Sequence, residues 1–183
     1  MKNEITGMRL RLIVMNFLQF AVWGAYLTSM GTYLFNIGLG AKIGLFYAMQ
    51  GIVSLFMPAI MGIIADRWVP AQKLYGFCHF MAAVFMVAAG WYGYVDGEAV
   101  NFGTLFTFYS LSVAFYMPTL ALTNSVAYTA LDKVKLDPVI AFPPIRIFGT
   151  IGFICSMLLT DILGFQNNYM QFFSCACFGV ILA

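Results

Sequence analysis

The chain has 183 residues, of which 62% are hydrophobic and only 9% are charged, and its formal net charge is +2. A typical soluble domain is about half apolar and roughly a quarter charged. A core of this size cannot enclose so large an apolar excess, so the composition excludes an ordinary soluble domain.

Long runs without ionisable residues recur along the chain. A helix needs about 20 apolar residues to cross a bilayer core about 30 Å thick, and these runs are too long and too uniformly apolar for the strands of a membrane barrel. They predict an all-α integral membrane protein, a bundle of six transmembrane helices. The six predicted spans lie at about 12–35, 43–65, 74–95, 102–130, 139–163 and 169–183.

Basic residues are concentrated on one side of these spans. Seven of them precede the first span or lie in the loops after the second and fourth spans, whereas the alternate loops carry only Lys42. By the positive-inside rule, this asymmetry predicts a cytoplasmic N-terminus, and we place the multi-pass protein in the cell (inner) membrane. The seven are Lys2, Arg9, Arg11, Arg67, Lys73, Lys133 and Lys135.

The sixth predicted span is short. It begins near Tyr169, and the sequence ends about fifteen residues later at Ala183. We therefore expect the sixth helix to be truncated and the chain to be part of a longer protein.

Polar residues recur at helical spacing in the first, second and fourth spans. Such residues must face protein or water inside a membrane, so they either join helices by hydrogen bonds or line a cavity. From these stripes we take Gln19, Trp23 and Tyr116 as candidate ligand contacts. The stripes are Asn16, Gln19, Trp23 and Tyr26 in span 1, Gln50 and Ser54 in span 2, and Tyr109, Ser112, Tyr116, Thr119 and Thr123 in span 4.

A single arginine, Arg146, stands in the fifth span. A guanidinium at mid-depth costs about 2.5–3.5 kcal/mol on insertion scales, so it requires a partner or a water-filled cavity there. A helix beginning near Val139 would place it about 10 Å below the cytoplasmic end. A helix beginning at Pro144 would let the side chain reach the interface. The prolines leave both placements open.

The residues around Arg146 divide into two faces. Arg146, Thr150 and Phe153 share one of them by steps of four and three. A neighbouring face carries only small side chains, which let a second helix approach closely. These small residues are Gly149, Gly152 and Ser156.

Nothing in the sequence indicates an enzyme or a metal site. The four cysteines all fall within apolar spans and lack the paired spacing of a zinc site. No nucleophile, base and acid occur together. His79 has no carboxylate within a helical turn, which leaves helix packing or proton relay as its roles.

The segment GIIADRWVPAQK resembles the G-x-x-x-D-[RK]-x-G-x-[RK]-[RK] signature of the major facilitator superfamily. Gly62, Asp66 and Arg67 match it, whereas Val69 stands where glycine is usual. The resemblance implies that Asp66 and Arg67 act in gating, as a latch on the cytoplasmic side against the other half of a transporter.

Four segments together resemble the nucleoside:proton symporter family of that superfamily. They are LQFAVWGAYLTSMGTYLF, FMPAIMGIIADRW, AFYMPTLALTNSVAY and FPPIRIFGTIGF. The family has twelve spans in two six-helix halves, so the chain is similar to the N-terminal half. The resemblance implies a nucleoside near the bilayer centre, with Arg146, Thr150 and Phe153 facing it, and it favours the deeper placement of Arg146.

The sequence thus predicts a secondary active transporter that takes up nucleosides by proton symport through alternating access. We expect the proton as coupling ion and no cofactor, with the lipid bilayer and the C-terminal six-helix half as partners and no nucleic acid. No carboxylate falls deep in a span, so proton coupling is predicted to reside in the other half. A six-helix channel or non-transporting membrane subunit is the alternative, and a membrane enzyme is a third.

Overall fold

The computed structural model describes residues 2–183, apart from the side chains of Lys2, Asn3 and Glu98. Helices and short turns make up this part of the chain, which contains no strand. The predicted all-α class is therefore confirmed. The helices are α1 (Lys2–Gly24), α2 (Met30–Asn36), α3 (Ile43–Arg67), α4 (Ala71–Asp96), α5 (Phe102–Lys133), α6 (Pro138–Ile162) and α7 (Met170–Leu182).

The outer surface of the bundle is apolar. Five helices, namely α1, α3, α4, α5 and α6, are long and apolar enough to cross a membrane, and α7 is a shorter apolar helix of 13 residues. Large side chains such as Leu55 and Trp91 are more than half exposed on the outside. Such a surface suits contact with lipid and not with water.

The first predicted span is not one continuous helix, which corrects the expectation from sequence. α1 ends at Gly24, a turn covers residues 25–29, and α2 begins at Met30. Side chains bind carbonyl groups in this turn: the Thr160 hydroxyl donates to the Ala25 oxygen at 3.2 Å, and the Tyr47 hydroxyl donates to the Leu27 oxygen at 2.7 Å. These bonds satisfy groups that an interrupted helix would otherwise leave unpaired.

α1 packs mainly against α6 and α7, α3 against α5, and α4 against both α5 and α7. The contact between α1 and α6 depends on glycine. A Cβ atom added to Gly152 would collide with the backbone carbonyl of Phe17, and one added to Gly24 would collide with that of Phe153. The predicted small-residue face of α6 is confirmed as the surface against which α1 packs.

The first residue of α6 distinguishes the two helix starts, near Val139 and at Pro144, that the sequence left open around Arg146. Asp137 caps the helix by accepting a hydrogen bond from the Val139 amide at 2.9 Å, and α6 begins at Pro138, where proline is well tolerated. Arg146 lies eight residues further on, about 12 Å along the axis at 1.5 Å per residue. The helix start is thus the one that the deeper placement requires, and the depth of Arg146 in the bilayer stays a prediction.

Candidate functional site

Two groups of polar and aromatic side chains lie on neighbouring faces of α1. The first, which we call the enclosed polar core, is centred on Gln19. The second, which we call the open face, is centred on Arg146. The enclosed polar core comprises Gln19, Tyr75, His79, Thr119 and Thr123, and the open face comprises Phe20, Trp23, Arg146, Thr150 and Phe153.

The side-chain amide of Gln19 is fully buried and bonded at both ends. Its nitrogen donates to the Thr119 hydroxyl at 2.8 Å. Its oxygen accepts from the Tyr75 hydroxyl at 2.8 Å and lies 3.0 Å from the Thr123 hydroxyl. Side chains of α4 and α5 therefore bind both ends of this amide.

His79 belongs to the same enclosed polar core. Its Nε2 lies 2.8 Å from the Gln19 amide oxygen, and its ring stands edge-on to that of Tyr75 with 4.6 Å between centroids. Of the two roles left open by the sequence, this geometry favours helix packing.

Tyr116 is also buried behind the open face. Its hydroxyl donates to the backbone oxygen of Gln19 at 2.7 Å, and its ring lies 6.4 Å from that of Trp23. Neither Tyr116 nor Gln19 is presented on the surface that carries Arg146. The structure therefore places these two candidates behind the open face.

The Arg146 guanidinium lies over the ring of Phe20. Its guanidinium carbon lies 3.9 Å from the ring centroid, a cation–π contact between α6 and α1. The side chain is partly buried and makes no hydrogen bond or ion pair with any described residue. The five N–H donors of the guanidinium are thus left free beside an aromatic wall.

Thr150 and Phe153 continue the open face along α6. Thr150 is exposed, and its hydroxyl makes no hydrogen bond within the described part of the chain. The Phe153 ring lies edge-on to the Trp23 indole, with 6.2 Å between centroids and 81° between planes. The structure brings Trp23 and Phe153 into contact, with Arg146 and Thr150 on the same helix as Phe153. Their role as ligand contacts stays a prediction.

Sequence reasoning did not assign Phe20 or Gln50 to this site. Phe20 supports the guanidinium, and Gln50 accepts a hydrogen bond from the Trp23 indole nitrogen at 3.1 Å. The position of Phe20, three residues before Trp23, is consistent with a shared helical face. The polar stripe in the second span had already marked Gln50, but not its partner.

The two predicted gating residues lie away from the open face, at the end of α3. Asp66 and Arg67 are exposed, and neither is paired with another described residue. Within the described residues, no group of three or more His, Cys, Asp or Glu side chains could hold a metal ion, and all four cysteines are free.

A sequence profile of the nucleoside H+ symporter family matches residues 6–183. The chain belongs to the nucleoside H+ symporter family. This is a family of transporters and not of enzymes. Membership confirms the resemblance found in the sequence and favours the transporter over the channel or subunit that was its alternative.

Two permeases of Escherichia coli are similar to nearly the whole of this chain. The xanthosine permease of Escherichia coli (strain K12) is 39% identical over 166 residues, which cover 90% of this chain and 38% of that protein. The nucleoside permease NupG of the same organism is 38% identical over 179 residues, which cover 96% of this chain and 41% of that protein. The chain thus spans about two fifths of the length of these relatives.

A crystal structure of the nucleoside transporter NupG has the same fold. It matches 96% of this chain and 42% of its own, with a TM-score of 0.87 and 38% sequence identity. A mutant of NupG matches with a TM-score of 0.88. The bundle described above is therefore the fold of a portion of a symporter-family transporter in a multi-pass membrane protein.

Proposed function

We propose that the chain is the N-terminal half of a secondary active transporter that takes up nucleosides with protons through alternating access. Family membership and the similarity to NupG and the xanthosine permease support this proposal. The observation that carries it within the chain is Arg146, which is held deep along α6 with its donors free.

The open face has the chemistry that a nucleoside requires. A nucleoside is neutral and carries ring carbonyls and sugar hydroxyls, which can accept hydrogen bonds from the fixed donors of Arg146. The Thr150 hydroxyl can donate and accept beside it. The aromatic side chains of Phe153 and Trp23 offer edges and faces to a flat base. Gln19 and Tyr116 support these groups from behind.

The proton is proposed to be coupled elsewhere in the transporter. The acidic residues of this chain lie at helix ends and in loops, as Asp66 at the end of α3 and Asp96 at the end of α4 illustrate. Among the acidic side chains that the structure describes, none is placed where a carboxylate could exchange a proton beside Arg146. Proton coupling in this proposal depends on the C-terminal half, and no cofactor is required.

Asp66 and Arg67 are proposed to latch the cytoplasmic side against that C-terminal half. Both are exposed and unpaired within the described residues, so both are available to a partner surface. The basic asymmetry of the loops supports a cytoplasmic location for this end and for the N-terminus, in the cell inner membrane.

The test is nucleoside binding and uptake by the full-length transporter and its Arg146→Ala variant. Hydrogen bonds from a charged group contribute about 1.5–3 kcal/mol, so we expect Arg146→Ala to weaken uridine or adenosine binding by about 10- to 150-fold. Arg146→Lys keeps the charge but loses the planar fork and should recover only part of the affinity.

Arg9→Ala is the matched control, because Arg9 is an exposed arginine near the start of α1. The nucleoside affinity of Arg9→Ala should equal that of the unmodified protein. Unchanged nucleoside affinity in Arg146→Ala would show that the guanidinium does not bind the nucleoside. Failure of the unmodified transporter to take up any nucleoside would overturn the proposed function itself.

A further inference from the structure

Gln50 occupies an unusual place on α3. Most of this helix is exposed or only partly buried, and its buried residues are Phe46, Gln50 and Met61. Gln50 is thus the one polar side chain among them. It lies where α3, α1 and α5 meet.

The side-chain amide of Gln50 joins α1 to α5 through two hydrogen bonds. Its oxygen accepts from the Trp23 indole nitrogen at 3.1 Å, and its nitrogen donates to the Tyr109 hydroxyl at 2.6 Å. The indole N–H can only donate. A flipped amide would set its NH2 group against that N–H, so the indole selects one orientation of Gln50.

Tyr109, which accepts the hydrogen bond from the Gln50 nitrogen, is held rigidly by its neighbours. Tyr109 is fully buried, and its ring lies 5.1 Å from that of Phe46 and 6.1 Å from that of Tyr26, measured between centroids. Aromatic contacts of this kind fix ring orientation. Gln50 is therefore anchored to a side chain that cannot easily move.

Trp23, which donates a hydrogen bond to the Gln50 oxygen, belongs to the open face. Trp23 is only partly buried, and its ring stands at 81° to that of Phe153. Without Gln50, rotation about the side-chain torsions would change the separation and angle of these two rings. The hydrogen bond to Gln50 removes that freedom.

We propose that Gln50 is a positioning residue that holds the Trp23 indole edge-on to Phe153 and so sets the aromatic surface against which a nucleobase packs. This inference rests on the proposed function for the identity of the ligand. Gln50 acts through Trp23, because its own polar atoms are already bonded to Trp23 and Tyr109.

The experiment compares Gln50→Leu with Gln50→Glu in the full-length transporter. Leucine removes both hydrogen bonds. A neutral glutamic acid keeps them, because its carbonyl accepts from the indole and its hydroxyl donates to Tyr109. We expect Gln50→Leu to raise the KM for uridine uptake by about three- to tenfold, with the maximal rate within about twofold. Gln50→Glu should restore the KM.

The second readout is the indole N–H signal of Trp23 in an NMR spectrum of the 15N-labelled protein, assigned by its loss in Trp23→Phe. The signal should shift in Gln50→Leu and return in Gln50→Glu. Ser54→Ala is the control, because the Ser54 hydroxyl bonds only within α3, to the Gly51 oxygen at 2.8 Å. It should change neither readout.

The possible outcomes separate this inference from the proposed function. If the unmodified transporter takes up no nucleoside, the proposed function fails, and the proposed role of Gln50 in shaping a nucleobase site fails with it. If uptake is normal and Gln50→Leu leaves both the KM and the indole signal unchanged, the inference alone is overturned. If Gln50→Leu does not fold, Tyr109→Phe removes the anchor while keeping the ring and provides the same test.

Discussion

The enclosed polar core and the open face contain neighbouring residues of α1, Gln19 and Phe20. They differ in whether their polar groups have hydrogen-bond partners within the bundle. The amide of Gln19 is buried, and side chains of α4 and α5 bind it at both ends. The guanidinium of Arg146 lies over the Phe20 ring and makes no hydrogen bond or ion pair with a described residue. Inside a membrane an unsatisfied polar group is costly, so the group that the fold leaves free is the one available to a ligand.

The largest effect on stability is expected from Gln19→Leu. The change removes the Gln19 oxygen that the Tyr75 hydroxyl and the His79 Nε2 contact in a buried site, and each such loss costs about 1–3 kcal/mol. Because hydrogen bonds between membrane helices are often weaker, we expect a total loss of about 3 kcal/mol in the free energy of unfolding. Reversible unfolding in mixed micelles measures it.

Gln72→Leu is the matched control, since Gln72 is exposed near the start of α4. Surface substitutions usually change stability by about 0.5 kcal/mol or less. Equal losses in the two variants would contradict the conclusion that the hydrogen bonds of the enclosed polar core stabilise the bundle.

A second variant, Gly152→Ala, tests the close packing of α6 against α1. The added methyl group would collide with the backbone carbonyl of Phe17, which cannot move without separating the helices. Overpacking of this kind costs about 1–3 kcal/mol, so we expect a loss of about 2 kcal/mol in the free energy of unfolding.

Gly51→Ala is the matched control for Gly152→Ala. No atom lies within 4 Å of a Cβ added at Gly51, and alanine is favoured over glycine in a helix by about 0.5–1 kcal/mol. This variant should therefore be slightly stabilised. A destabilisation similar to that of Gly152→Ala would contradict close packing against Phe17 as the cause of the loss at Gly152.

The sequence predicted the open face better than the polar core, for a physical reason. Helical spacing places Arg146, Thr150 and Phe153 on one face because they share a single helix. It cannot place Gln19 against Thr119 or Tyr75, because those contacts depend on how α1, α4 and α5 pack. A polar stripe looks the same whether it binds a ligand or another helix, so Gln19 and Tyr116 were predicted to face a cavity.

The break between α1 and α2 was missed for a related reason. The stretch 12–35 contains no charge or proline, and it therefore predicted a continuous span. The carbonyl groups of the turn are satisfied by Thr160 of α6 and Tyr47 of α3. Local sequence does not record partners that lie on other helices.

The smallest expected effect is that of Phe20→Leu, which removes the ring beneath Arg146 but keeps an apolar side chain. A cation–π contact at a partly exposed site contributes about 0.5–1 kcal/mol, so nucleoside affinity should fall by about two- to fivefold. Phe148→Leu is the control, because Phe148 is exposed on α6 and its ring has no described aromatic or cationic partner. A fall in affinity for Phe148→Leu as large as that for Phe20→Leu would mean that general packing of the open face, and not the ring under the guanidinium, positions Arg146.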